Sequence, residues 1–266
     1  MLQYADDMDA LIFWVGLSVV VISYMTLWYG MAQYVQRYDV VDTAWGLGFI
    51  VVAWVSLVLR SNFGALQIVS ALLVTAWGIR LTAHIADRNW RKSEDDHRYQ
   101  ELRRKWGSAE YKTYTNIFLL QGLLLMLVSL PMIAIAFSHH GPNALGYAGW
   151  IFWLGGIMFE AIADRQLKTF LYRRPKNSHA IMDKGLWQYS RHPNYFGEIV
   201  TWCGAALVAV SVGGWWGIAG ALVITVLIIK VSGIPPLEKR YENDSRYAAY
   251  RGRVSVLVPM PPKEKA

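Results

Sequence analysis

What most constrains this chain is its alternation of apolar blocks, each about as long as a bilayer is thick, with short segments that hold nearly all the charge. A helix crossing a hydrocarbon core of about 30 Å needs roughly 20 apolar residues. Seven stretches come near that length: 10–32, 40–59, 64–86, 116–138, 144–163, 195–212 and 215–234. Inside lipid every backbone N–H and C=O must find a partner within the protein, so blocks of this length fold as helices. The expected fold is therefore all-α, a polytopic bundle of about seven transmembrane helices forming a single integral membrane domain over residues 1–266. Composition agrees, since 55% of residues are hydrophobic and only 17% charged, too apolar for an ordinary soluble domain.

Lys and Arg set the orientation, because basic residues of short loops are retained on the cytoplasmic side. They fall at Arg37, from Arg88 to Lys112, from Arg165 to Arg191, and from Lys239 to Lys265, while the alternate loops hold only Arg60. This places the N-terminus outside and the C-terminus in the cytoplasm, with the polar residues open to the cytoplasm. Loop charge also accounts for the net charge of +7, so no nucleic-acid partner is inferred. Asp6, Asp7 and Asp9 precede the first block in place of a basic n-region, so that block is read as a retained span. The single cysteine, Cys203, excludes an intrachain disulfide and a Cys-rich metal site, and is expected to be a small buried core residue. Trp28, Tyr29, Trp150 and Trp153 lie near span ends and are expected in interfacial aromatic belts.

Chemistry concentrates on the cytoplasmic side. The segment 186–198 is too dense in polar and aromatic groups for a plain connector. Pro193 suits the first turn of a helix, where a missing N–H costs nothing. That helix start, with Arg191 and His192 beside it, suits a phosphate. Asn194 and Glu198, four apart, share a face and offer an amide and a carboxylate; the plainer alternative makes Arg191 and Glu198 a membrane anchor and its counter-ion. Glu160 and Asp164 repeat the four-residue spacing at the end of the fifth stretch and are expected to face inward, because carboxylates are expensive near hydrocarbon. Lys168 continues that polar run, and Arg173, Arg174 and Lys176 extend it; the plainer alternative makes Arg173 and Arg174 contacts to anionic lipid headgroups. Asp39, Asp42 and Trp45 open the second stretch, while Arg80 and His84 close the third. Asp42 and His84 are candidates for moving a proton, or else for a satisfied interhelical hydrogen bond. The tail from Glu238 through Arg240, Tyr241, Tyr247 and Tyr250 leads to a strand-like run, 254–258, and either folds back beneath the helices to cap a site or lies on the membrane surface as a basic amphipathic segment.

Gly185-Leu186-Trp187 followed by Ser190-Arg191-His192-Pro193-Asn194-Tyr195-Phe196-Gly197-Glu198 resembles the C-terminal signature of the membrane steroid 5-alpha-reductase superfamily, which includes sterol reductases and isoprenylcysteine methyltransferases. The signature region covers about residues 144–260. Asp42-Thr43-Ala44-Trp45-Gly46, Glu94-Asp95 with Arg98-Tyr99, and the run from Glu160 to Gln166 resemble its bacterial branch, DUF1295, over nearly the whole chain. The resemblance implies a helical bundle that binds NADPH from the cytoplasmic side and reduces an activated carbon–carbon double bond in a steroid-like or other lipid. It places Asn194 and Glu198 at the nicotinamide carboxamide and Asp164 in the same pocket, with Glu160, Lys168, Arg191, His192, Tyr195 and Arg240 completing the expected cofactor set. The reductases' Glu–Tyr pair, which polarises the substrate carbonyl, has no clear match in the first three stretches, so Asp42 and His84 stand in as catalytic residues by position. No metal is expected. Two other readings stay open: an S-adenosylmethionine-dependent membrane methyltransferase, and a non-catalytic lipid-binding protein or transporter. The last would be expected to show internal repeats or broken mid-span helices.

Overall fold

A computed structural model describes residues 2–90, 97–106, 110–175 and 180–263. The expected Glu94-Asp95 and Lys176 features lie outside the described residues. Among the described residues the protein is helical without a strand: α1 (Leu2–Val35), α2 (Val40–Arg60), α3 (Ala65–Trp90), α4 (His97–Trp106), α5 (Glu110–Val128), α6 (Leu130–Phe137), α7 (Ala144–Arg173), α8 (Pro193–Ser211), α9 (Ile218–Val226), α10 (Ile234–Arg240) and α11 (Ser245–Arg253). Five helices are long and apolar enough to cross a membrane: Met8–Val35, α2, α3, α7 and the run Trp215–Arg240. The pair α5 and α6, bent by 50°, makes a sixth if counted as one. Pro131 explains the bend, since its ring crowds the preceding turn and it lacks an N–H for the ladder. Large apolar side chains such as Leu11, Val15, Ile151 and Leu222 point outward, as lipid-embedded helices require. The protein is an integral membrane protein.

The described residues fall into two compact units, Met1–Asn143 with Ala209–Ala219, and Ala144–Val208 with Gly220–Ala266. In the first, α2 and α3 meet backbone to backbone. A Cβ at Gly46 would come within 2.5 Å of the Gly78 carbonyl oxygen, and one at Gly78 within 2.5 Å of the Gly46 oxygen. Lipid tails are as apolar as side chains, so close approach through small residues is what holds such helices together. The corner between α1 and α2 is fixed by Arg37, which grips the buried Asp39 through Nε and Nη2 at 3.1 and 2.7 Å. Arg37 Nη2 also donates to the Asn89 carbonyl at the end of α3. At the other end of α3, Gln67 and α2-flanking Asn62 donate to the carbonyls of Ile135, Ala136 and Ser138, satisfying the C-terminus of α6.

In the second unit α7 and α8 pack through Gly149, Gly156, Gly197 and Gly204. A Cβ at Gly156 would lie 2.5 Å from Thr201 N, one at Gly197 2.6 Å from Glu160 N, and one at Gly204 would collide with Trp153 N. This packing corrects two sequence-based expectations. Trp153 is no interfacial belt residue, being 1% exposed with its backbone against Gly204. Cys203 is exposed rather than buried, because it is turned off the ridge of Gly197, Thr201 and Gly204 that faces α7. The run 254–258 forms no strand; a single parallel bridge joins Ser255 to Ser190. Its partner is a short loop segment that supplies too few residues for a ladder.

Candidate active site

Two polar clusters stand out, one in each unit. The larger is built where the tail of the second unit folds back onto the segment before α8. A 3₁₀ turn, Gly185–Gln188, docks on α7: Leu186 N donates to Gln166 Oε1 at 2.9 Å and Trp187 Nε1 to the Ala163 carbonyl at 3.1 Å. Gly185 is required there, with φ +63 and Gln166 occupying the space of a side chain. The chain then reaches Ser190, whose Oγ accepts from His192 N and donates to the Leu257 carbonyl. Arg191 N donates to the Ser255 carbonyl, and Met260 N to the Tyr189 carbonyl. Tyr250 OH donates to the Trp187 carbonyl. The tail thus folds back, as expected, and grips residues 187–191 largely through backbone groups.

Glu238 on α10 is the hub. Its carboxylate accepts from Arg191 Nη1 at 2.6 Å, His192 Nε2 at 2.9 Å and Tyr247 OH at 2.7 Å. Burial holds the His192 imidazole below its ordinary pKa despite the Glu238 carboxylate beside it, so the ring is neutral near pH 7 and donates through Nε2–H. Tyr247 is raised by burial and by the same carboxylate, and keeps its proton. The Tyr195 ring stacks on His192 at 5.6 Å. Arg191 Nε is buried and finds no acceptor among the described residues. A cationic donor left open in this way is ready for an acceptor from a ligand.

Helix α8 begins at Pro193, as the sequence implies, so Asn194 and Glu198 share one face of its first two turns, half-buried. Glu160 and Asp164 on α7 are both buried, at 3% and 7% exposure, matching the inward face expected of them. Glu160 also lies against Gly197 in the same turn of α8. Lys168 and Arg240 are exposed, and Arg240 is not brought into the Glu238 cluster.

The second cluster is in the first unit. Asp42 Oδ1 accepts from the buried Tyr99 OH at 2.7 Å, and Arg88 Nη2 stands 3.7 Å from Oδ2. An acid–tyrosine pair therefore exists, with its acid in the second stretch and its tyrosine outside the first three stretches where sequence reading sought both. His84 is half-buried on α3. Sequence reasoning passed over Tyr99, Glu238, Tyr247 and Tyr250 as site residues. The last two were legible as tyrosines three apart on one helix face; Tyr99 stood out only beside Arg98 in the family pattern, and the bonds from Tyr99 to Asp42 and from His192 to Glu238 span 57 and 46 residues, too far to leave a local signal.

Residues 28–254 match the family described as protein of unknown function (DUF1295), which is most of the chain. The chain belongs to the DUF1295 family. The bacterial-branch resemblance is thus confirmed at the level of family. Over shorter stretches it is similar to 3-oxo-5-alpha-steroid 4-dehydrogenase 1 of Bos taurus, 38% identical over 68 residues that make up 25% of this chain and 26% of that protein. It is likewise similar to the proteins of that name from Macaca fascicularis and Homo sapiens, each 39% identical over 67 residues, 25% of either chain. The chain therefore spans about a quarter of the length of the curated relatives it matches. No solved structure matches it.

Proposed function

We propose that this DUF1295 member is an NADPH-dependent membrane reductase of an activated carbon–carbon double bond in a steroid-like or other lipid. The observation that carries the reading is the Tyr99–Asp42 hydrogen bond, an acid–tyrosine pair of the kind the resemblance led us to seek. The similarity to the steroid 4-dehydrogenases supports the same reaction class. For the cofactor, the open Arg191 Nε fits an anionic or carbonyl acceptor, and Asn194 with Glu198 offers the donor and acceptor a carboxamide needs. Glu160, Asp164, His192 and Tyr195 would complete that pocket, with Lys168 and Arg240 as outlying cations. When bound, NADPH supplies a hydride.

Addition of a hydride to the β-carbon of an enone shifts the double-bond electron pair onto the carbonyl oxygen. A donor at that oxygen stabilises the charge where it develops. Tyr99 OH, turned from Asp42 to the carbonyl, provides the donor. Asp42, with Arg88 beside it, holds the phenol in place until then. Protonation of the α-carbon by water restores the carbonyl and completes the saturated product. His84 is the further titratable candidate for resupplying protons in this unit.

The topology proposed with this function has seven spans, α8 included, in one integral domain of a bacterial inner membrane, with the N-terminus outside and both clusters on the cytoplasmic side. The test is incubation of the purified protein with NADPH and an enone steroid. The expected result is NADPH oxidation matched by saturated product. Methyl transfer from S-adenosylmethionine, with no NADPH oxidation, would replace this reading with a methyltransferase.

A further inference from the structure

The last membrane-crossing candidate ends at Arg240, so the tail that follows it in the second unit starts at the surface of the bilayer. Several bonds keep it there. Tyr247 OH donates to Glu238, in the final turns of that crossing, at 2.7 Å. Arg191 N donates to the Ser255 carbonyl at 2.8 Å, Ser190 Oγ to the Leu257 carbonyl at 2.7 Å, and Met260 N to the Tyr189 carbonyl at 2.9 Å. Lys263 N closes the run back on the Arg253 carbonyl at 3.0 Å. Along this run Val256, Val258 and Met260 stand 41%, 48% and 54% exposed, while Ser255, Leu257 and Pro259 between them are half-buried. Alternate side chains of a tethered segment are therefore large, apolar and outward.

Charge indicates what meets this strip. From Lys239 to Lys263 the tail sets Lys239, Arg240, Arg246, Arg251, Arg253 and Lys263 against two acids, Glu242 and Asp244. All of these basic side chains but Arg253 are exposed. Apolar side chains beside exposed cations are the pattern of a segment lying in the membrane interface, held by its buried apolar area and by attraction to anionic lipid. A stable protein interface buries about 800 Å² per partner, more than a strip of three side chains offers. We infer that the strip of Val256, Val258 and Met260 docks on the anionic headgroup layer of the bilayer in which the protein is embedded, with Arg246, Arg251 and Lys263 drawn to its phosphates. Folding back onto residues 189–191 and lying on the membrane surface are then one arrangement of the tail. The strip shares no residue with the proposed hydride-transfer site, and its docking is expected whatever reaction the protein catalyses.

The test attaches an environment-sensitive fluorophore to Val258→Cys in the Cys203→Ser background, which removes the one native thiol. The full chain is placed in nanodiscs of phosphatidylcholine, alone or mixed equally with phosphatidylglycerol, and the label is quenched by nitroxide-bearing lipid or by aqueous iodide. In the mixed discs nitroxide lipid should remove about half of the emission or more, and iodide should quench roughly threefold less than it quenches the free labelled cysteine. Each surface cation is worth about fivefold in the docking equilibrium, so nitroxide quenching should fall about twofold or more in discs of phosphatidylcholine alone. Arg246→Gln/Arg251→Gln in mixed discs should show the same fall. Val256→Cys, labelled in the same way, covers the case of a Val258 variant that folds poorly. Iodide quenching equal to that of the free labelled cysteine would overturn the inference, as would equal nitroxide quenching in the two kinds of disc. So would a label shielded from both quenchers, which would put a second copy or another protein on the strip.

Discussion

Removal of the Glu238 carboxylate probes the second unit most sharply, because a single side chain holds three donors from two segments. In Glu238→Ala the Arg191 guanidinium, with a side chain 10% exposed, loses its counter-ion, and His192 Nε2 and Tyr247 OH lose their acceptor. Breaking a buried ion pair from one side costs about 3–5 kcal/mol. Glu238 is itself 19% exposed, so water recovers part of this, and about 2–4 kcal/mol is the expected loss. For a chain of this size that lowers the melting midpoint by about 2–4 °C per kcal/mol. Glu238→Gln keeps an acceptor but not the charge and should cost about 1.5–3 kcal/mol. The assay is a thermal melt in detergent combined with limited proteolysis, since release of the tail should expose residues beyond Arg240 to cleavage. A Glu238→Ala protein that melts like the wild type with its tail still protected would refute the argument.

The same cluster predicts a pH dependence. His192 is held below its ordinary pKa by burial, so in the window beneath about 6.5 the unfolded chain binds a proton that the folded ring refuses. The contribution is fully present above that pH and lost as pH falls, so the melting midpoint should drop on acidification, and less so in His192→Gln. Tyr99→Phe and Asp42→Asn should each lower turnover roughly 10²–10⁴-fold with NADPH affinity within a few-fold, and His84→Ala should do the same if it resupplies protons; wild-type turnover would make these residues structural. Gly204→Ala should destabilise by about 1–3 kcal/mol, because its Cβ meets the Trp153 backbone, whereas Gly155→Ala, with nothing within 4 Å, should melt like the wild type. A reporter fused after Ala266 should read cytoplasmic and one inserted between His139 and Gly141 external; both on one side would break the seven-span topology.

The helices were legible because their signal is local: length, hydropathy, and punctuation by Pro193 are all carried along the chain. The inward faces of Glu160 and Asp164 were legible for the same reason, since spacing four apart fixes a shared face and the bilayer fixes its direction. What escaped depends on which face meets which neighbour. Trp153 and Cys203 lie on helices read correctly, yet their burial was reversed, because only the glycine ridge joining α7 and α8 determines which side is inside. Tyr99 and Glu238 escaped because a hydrogen bond across 57 or 46 residues leaves no periodic trace. Arg191 was read as free for a phosphate; the structure gives one of its nitrogens to Glu238 and leaves Nε open.

The most direct test of the proposed reductase is equilibrium binding of NADPH to the purified protein, with S-adenosylmethionine as the comparison. NADPH should bind with micromolar or tighter affinity, and Glu198→Ala, which removes a charge-assisted hydrogen bond worth about 1.5–3 kcal/mol, should weaken it roughly tenfold or more while the melting profile stays intact. Binding of S-adenosylmethionine in place of NADPH, or NADPH affinity indifferent to Glu198, would contradict the account.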